Sequence, residues 1–267
     1  MADSLFQREG DLFRATELSL GPWAPGALHG GPVAALMAWE LERWPTDTAM
    51  FGARFTLELF HPVGLEPLRL ETRVVRGGRK VQVLETHMYD MNAKALARAT
   101  LQQIRIHDLA LADEVARVNG PDPTPTPPLP EALRLVTMPE DVGVSFISTA
   151  TEHRVEGNYL SDPGPAVDWI RLLVDVLPGE TPSPLQRVAA AADFGNGVSA
   201  VFPFGSHLFI NPDLSIHLYR QPVDEWVCLQ AITRVGNEGI GFAESALFDR
   251  AGRIGRSVQS LLIDRFE

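Results

Sequence analysis

Two stretches of this chain alternate apolar and polar residues with a period of two, and both do so in the same order. The first runs RFTLELFHPV (Arg54–Val63), LRLETRVVRGG (Leu68–Gly78) and KVQVLETHMYDMNAKALARATLQQI (Lys80–Ile104). The second runs DLSIHLYRQPV (Asp213–Val223), EWVCLQAITRVGNEG (Glu225–Gly239) and IGFAESALFDRAGRIGRSVQSLLI (Ile240–Ile263). Each reads as strand, Pro-containing turn, strand, Gly turn, strand, polar turn and a last strand. Leu214, Ile216 and Leu218 fall on one face, with Ser215, His217 and Tyr219 on the other. Phe55 aligns with Leu214 (214 − 55 = 159) and Arg98 with Arg256 (256 − 98 = 158), so the turns match at a near-constant offset. That constancy points to a duplicated unit.

A helix precedes each meander. Pro32–Trp44 places Val33, Leu36, Met37, Leu41 and Trp44 on one stripe, and its first turns are apolar nearly all round, which predicts a buried helix with Pro at its start. Pro184–Asp193 follows Ser183 as N-cap, carries Leu185, Val188, Ala189 and Ala192 on its stripe, and is expected to end at FGNG (Phe194–Gly197). The Ala run permits close approach of its backbone to a sheet. Thr149–Gly157 and Ala166–Val176 alternate like a hairpin, and Asp11–Leu20 reads as a strand. Between the halves, GPDPTPTPPLP (Gly120–Pro130) removes backbone donors and fixes φ, so no helix or inner strand can run through it. Leu109–Val118 just before it is expected to be a short helix. The organisation expected is therefore residues 1–107, a Pro-rich connector at 108–140, and residues 141–267.

Composition narrows the function. Lys+Arg 23 against Asp+Glu 34 gives a net charge of −11, opposite to what a duplex-binding surface needs, so nucleic acid is not expected as a partner. The two lysines, Lys80 and Lys94, leave the remaining basic positions to Arg, a side chain suited to phosphate. The VVRGGRK turn (Val74–Lys80) reads either as a phosphate contact or as a solvated hairpin tip. Cys228 stands alone, which excludes an intrachain disulfide or a cysteine metal cluster. No apolar run is long enough to span a membrane and the start MADSLFQREGDLF has no apolar signal region, so a cytoplasmic location is expected.

One small-residue helix per half, wrapped by an antiparallel sheet of several strands, is the hotdog arrangement. The α+β fold expected is a double hotdog, two tandem antiparallel sheets each wrapping a central helix. The segments HGGPVAALMA (His29–Ala38), SPLQRVAAAADFGNG (Ser183–Gly197), INPDLSIHLYRQP (Ile210–Pro222) and GRSVQSLLI (Gly255–Ile263), in this order and spacing, resemble the double-hotdog acyl-CoA thioesterases, the type II acyl-CoA hydrolases and their actinobacterial relatives. The resemblance covers both halves. It implies hydrolysis of acyl-CoA to free acid and CoA, with no cofactor and no metal, by a chain that forms a homodimer or higher homo-oligomer. It also implies a water held by a helix-end Asp, a Thr or Ser, and a last-strand Gln. The Asp maps onto Asp193 and the Gln onto Gln259, whereas the Thr maps onto Asn211, which departs from the pattern. Asn still donates to or accepts from a water but offers no hydroxyl nucleophile.

The residues themselves bear on these roles. On a helical wheel at about 100° per residue, Asp193 lies about 80° from Leu185, at the border of the apolar stripe, where a carboxylate loses water and becomes a better base. A solvent-exposed helix-end Asp is the other reading of that position. Gln259 shares its strand face with Leu261 and Ile263 and so points inward, while Leu101 stands at the equivalent place in the first half (259 − 158 = 101). One hydrolytic site per chain is expected. Asn211 in NPD is read either as a turn residue or as a water-holding group. His29, Gly30 and Gly31 open the first helix; with the resemblance, His29 is a substrate-facing group and the two glycines let a thioester carbonyl approach backbone N–H groups.

Other motifs fail. Gly195–Ala200 matches G-x-G-x-x-A, but a helix precedes it where dinucleotide binding needs a strand. There is no G-x-S-x-G elbow, no H-E-x-x-H, and no close pair among the seven histidines. Two rival functions remain open: a non-catalytic acyl-CoA or acyl-thioester binding protein, and a hotdog enoyl-CoA hydratase, which pairs an Asp with a His a few residues away. Asp193 has no such His within the next ten residues.

Overall fold

The computed structural model describes every residue except 1–2, 111, 114, 116–123, 140–141, 157–162, 204 and 266–267. The first meander forms β3 (Met50–Leu59), β4 (Leu68–Arg76), β5 (Val81–Tyr89) and β6 (Ala95–Arg105). The second forms β11 (Asp213–Leu218), β12 (Trp226–Val235), β13 (Ile240–Asp249) and β14 (Gly252–Asp264). The expected hairpin is present as β8 (Thr151–Glu156) and β9 (Ala166–Leu172), and β1 (Phe6–Glu9) pairs with β2 (Leu12–Ala15) at the start of the chain. Two short strands complete the set, β7 (Arg134–Leu135) and β10 (Leu208–Ile210).

The expectation of two tandem sheets is corrected. The strands join in one antiparallel sheet in the order β1-β2-β4-β5-β6-β3-β11-β14-β13-β12-β9-β8-β7, with β10 beside β14. Read outward from its centre, the first half runs β3, β6, β5, β4, β2, β1 and the second runs β11, β14, β13, β12, β9, β8. The duplicated units therefore meet along their equivalent strands. Phe55 faces Ile216 and Leu57 faces Leu214, with Thr56 opposite Ser215 between them (215 − 56 = 159). Such a register is what two copies related by a two-fold axis must adopt. It removes two sheet edges that would otherwise carry unpaired N–H and C=O groups. Periodicity within one half cannot reveal this, because pairing between copies depends on edges that look alike in sequence.

Helix α1 (Gly30–Glu42) and helix α2 (Pro184–Ala192) pack against each other under the sheet. Val33 to Trp39 are all buried, as the all-round apolar turns require. The helix starts two residues earlier than expected: His29 is the N-cap and Pro32 sits within the first turn, where its missing N–H costs nothing because that donor has no intrahelical acceptor. Ser183 caps α2 as expected, accepting from Gln186 N at 3.1 Å. FGNG does not end the helical path. After a turn at Asp193 and Phe194, Gly195–Val198 forms a short helix, α3. Most of Leu109–Val118 lies outside the described residues. The described part of the connector lies against the second half, where Pro128 O accepts from Trp169 Nε1 at 2.8 Å.

Candidate active site

The end of α2 meets the start of α1, and the sequence expectations for Asp193, Asn211 and His29 converge there. Asp193 is the C-cap of α2 and is 4 % exposed. Its Oδ1 accepts from Asn211 Nδ2 at 2.8 Å, and its Oδ2 lies 2.9 Å from His29 Nδ1. The carboxylate is pressed against Gly30: a Cβ at that position would sit 2.7 Å from both oxygens, so only glycine allows this approach. Gly31 N–H also points at His29 Nδ1, at 3.1 Å. One ring nitrogen cannot accept from that amide and donate to Asp193 at once. Nδ1 accepts from that amide, so the imidazole caps the start of α1 while its edge lies against the Asp193 carboxylate.

The His29 ring has little freedom. Its centroid lies 4.6 Å from that of Phe194 and 5.1 Å from that of Phe146, and these two rings stack on each other. Phe146 stands at the head of a π-helical turn, Phe146–Ala150, whose first N–H bonds Leu20 O.

Gln259 is 1 % exposed, on the inward face with Leu261 and Ile263. Its amide does not reach the Asp193 carboxylate. Nε2 donates to the Asp193 main-chain oxygen at 3.2 Å, and Oε1 accepts from Asn196 N at 3.0 Å. The side chain thus bridges the break between α2 and α3, and Gly195 is required beside it because a Cβ there would lie 2.7 Å from Oε1. Asn211 follows β10 and precedes Pro212. Its buried amide is drawn into the site, donating to Asp193.

Two apolar cavities meet at this cluster. The larger, about 400 Å³, is lined by His29, Met138, Ile147, Phe194 and Phe209 among others; the second, about 320 Å³, by Gly30, Val33, Phe60, Val63 and Ile210. Trp23, Asp193 and Asn211 line both. Gly31 lines neither.

The two halves of the chain match two family models in order: residues 20–102 match the acyl-CoA thioesterase N-terminal domain, and residues 123–263 match the acyl-CoA thioesterase C-terminal domain. This chain belongs to the acyl-CoA thioesterase family. The fold is found again in solved structures at low identity. A protein assigned as a thioesterase II from Thermobifida fusca YX is 17% identical over 98% of this chain and 96% of its own, with a TM-score of 0.76. A protein of unknown function with a hot dog fold from Alicyclobacillus acidocaldarius is 14% identical over 99% and 97%, with a TM-score of 0.73. An acyl-CoA thioesterase II from Mycobacterium marinum is 15% identical over 98% and 94%, with a TM-score of 0.66. No curated protein sequence matches the chain.

In this chain the mirrored junction, where the start of α2 meets the end of α1, is built differently. There Ser183 Oγ donates to Glu42 Oε2 at 2.6 Å and Gln186 Nε2 donates to the same oxygen at 3.1 Å. Burial pushes the Glu42 carboxyl above its ordinary value. Leu101 and Leu185 line a cavity of only about 140 Å³ beside it.

Sequence reasoning missed three features of the site. Asn196 is buried, donating from Nδ2 to Phe209 O at 3.2 Å; its signal was the three-residue spacing from Asp193, which keeps both on one side of a helical path. The His beside Asp193 is not within the next ten residues; His29 arrives from the other half. A second His–Asp pair lies behind Phe194: His153 Nδ1 is 2.7 Å from Asp168 Oδ2, and Nε2 is 2.9 Å from Thr151 Oγ1. Full burial raises the Asp168 carboxyl, and its Oδ1 has no hydrogen-bond partner among the described residues. Thr151, His153 and Asp168 line neither apolar cavity.

Proposed function

We propose that this chain hydrolyses acyl-CoA to free acid and CoA, at one centre per chain, with Asp193 supplying the charge that activates water and Asn211 and Gln259 positioning that carboxylate. The observation that carries this reading is the buried Asp193 carboxylate placed where two apolar cavities meet. One cavity has room for an acyl chain and the other for the pantetheine arm, which brings the thioester carbon to the carboxylate. Asn211 acts directly on the carboxylate. Gln259 acts through the main chain of residues 193 and 196. The chemistry asks for an activated water and for donors to the developing oxyanion, and we assign the donors to the start of α1 at Gly30, whose backbone lies against Asp193. Residues 1–107 and 141–267 are the two copies of the duplicated unit, joined by 108–140, and we expect the chain to act in the cytoplasm as a homodimer or larger assembly.

The test is thiol release by the purified protein from a panel of acyl-CoAs of differing length. Turnover is expected, and Asp193→Ala should lower it at least ~10²-fold, the usual scale for a positioned acid–base group. Tight acyl-CoA binding without thiol release would instead make the chain a binding protein. One observation favours a second reading: His29 beside Asp193 supplies the Asp–His pair that a hotdog enoyl-CoA hydratase needs. Loss of enoyl absorbance from a 2-enoyl-CoA, without thiol release, would select it.

A further inference from the structure

We infer that the smaller of the two apolar cavities is the acyl site, and that Trp23 sets the longest acyl chain it takes by walling it off from the larger cavity, where the pantetheine arm lies. The inference rests on the thioester-hydrolase reading and names the substrate class within it: straight acyl chains of up to about twelve carbons.

The linings tell the two cavities apart. Leu28, Val33, Leu59 and Val63 line the smaller cavity alone, and the one polar side chain among the described residues that do so, His61, is exposed. His29, Ser145 and Asn196 line the larger cavity and do not reach the smaller. A saturated chain gains from apolar walls alone. Pantetheine carries two amide groups, which lose water on entry and need polar partners. The chemistry sends the acyl chain to the smaller cavity and the arm to the larger. The thioester carbon then lies at the junction, beside Asp193 and Asn211.

Three described residues line both cavities. Asp193 and Asn211 are buried and bonded to each other at 2.8 Å. The third, Trp23, is half-buried and supplies the large apolar surface between the two spaces. Its ring stands edge-on to Phe209, with centroids 4.7 Å apart, and packs against the cluster formed by Phe209, Leu261 and Ile263. The loop that carries it is closed at its base. Gly21 N–H donates to Ala27 O at 2.9 Å, and Leu28 N–H donates to Val63 O at 2.8 Å. Held from both sides, the indole acts as a partition.

The size of the acyl site follows from its volume. A cavity of about 150 Å³ takes benzene, which is about 25 Å³ per carbon, so the smaller cavity of about 320 Å³ has room for about twelve. Each methylene that finds a place there should raise kcat/KM about four-fold, until the chain reaches the indole. Removing the indole leaves space for several further carbons.

The experiment measures kcat/KM for thiol release from straight-chain acyl-CoAs, butanoyl to octadecanoyl, with the wild type, Trp23→Ala, Trp23→Phe and Ala27→Phe, and the thermal denaturation of each. The wild type should rise to an optimum at about ten to twelve carbons and fall beyond it. Trp23→Ala should move the optimum to longer chains and raise the ratio of hexadecanoyl to dodecanoyl turnover at least ~10-fold, the worth of about two methylenes. Trp23→Phe, which keeps an aromatic ring on Phe209, should move it the same way by less. Ala27 lines the smaller cavity alone, so Ala27→Phe should shorten the longest chain accepted. If the folded Trp23 variants keep the wild-type chain-length profile, or Ala27→Phe leaves the longest chain unchanged, the inference fails with the hydrolase reading intact. If no acyl-CoA releases thiol, the hydrolase reading fails, and dissociation constants for the same series by calorimetry test the partition: the same shifts uphold it and their absence overturns it.

Discussion

Replacing Gln259 by Leu gives a sharp test of what this side chain does. Leu is the residue the first half uses at the equivalent place, where Leu101 is fully buried against its neighbours. The change therefore suits the strand and the apolar surroundings, and what it removes is the pair of bonds to the main chain. Asn196 N loses its acceptor and Asp193 O loses its donor, both at a site closed to solvent. A buried polar group left unpaired costs about 1–3 kcal/mol, so two cost about 2–6 kcal/mol before any relaxation. Part of this is recovered by burying the Leu methyls, which leaves a net loss of about 2–4 kcal/mol. At about 2–4 °C per kcal/mol for a chain of this size, the melting temperature should fall by roughly 5–15 °C. Calorimetry and thiol release measured on the same preparation make the assay. Turnover should fall as well, because the bridge from α2 to α3 sets where Asp193 points. A variant with unaltered stability and abolished turnover would refute the reasoning, since Gln259 would then act on water or substrate and not on the main chain.

Two further outcomes are expected. Gly30→Ala places a methyl group 2.7 Å from both Asp193 oxygens, so the carboxylate or the start of α1 must move; a displacement of this size should cost about 10²-fold in turnover, measured by thiol release, with a loss of about 1–3 kcal/mol by denaturant titration. Asp249 is buried; burial pushes its carboxyl up, but the paired bonds from Arg220 (2.5 and 2.6 Å) and the Val223 and Ala251 N–H groups hold it below its ordinary value. A carboxyl lowered in the fold adds stability at pH values above about 3.9 that is lost as pH falls through its native value. Arg220→Met should thus cost about 3 kcal/mol at pH 7, the low end for a broken buried pair since Arg220 is part-exposed, and should flatten the acid limb of a stability–pH curve.

The elements of the fold were legible wherever a local rule acts. Alternation in Leu214, Ile216 and Leu218 finds a strand because burial has a period of two, and Ser183 announces α2 because capping is satisfied within three residues. The inward face of Gln259 followed from the same alternation. What that amide bonds did not, because its partners lie on a turn more than sixty residues away. The merging of the sheet through β3 and β11 was not legible for a related reason: each strand has the pattern of any half-buried strand, and register between copies is set by symmetry. The contact of His29 with Asp193 needs the crossing of two helices from different halves, a distance no spacing rule spans. The glycines at 30 and 31 were visible, but only the crossing explains them, since the backbone of α1 has to pass close to the end of α2.

The halves of this chain are bound to each other by more than their shared sheet. The imidazole of His29 comes from one half and the carboxylate of Asp193 from the other, so neither half on its own holds the cluster. At the opposite crossing Glu42 accepts from Ser183 and Gln186 and Leu101 is buried, so that junction serves packing. A chain cut at the connector should regain activity only when the two fragments find each other again, which makes the working unit the reunited pair.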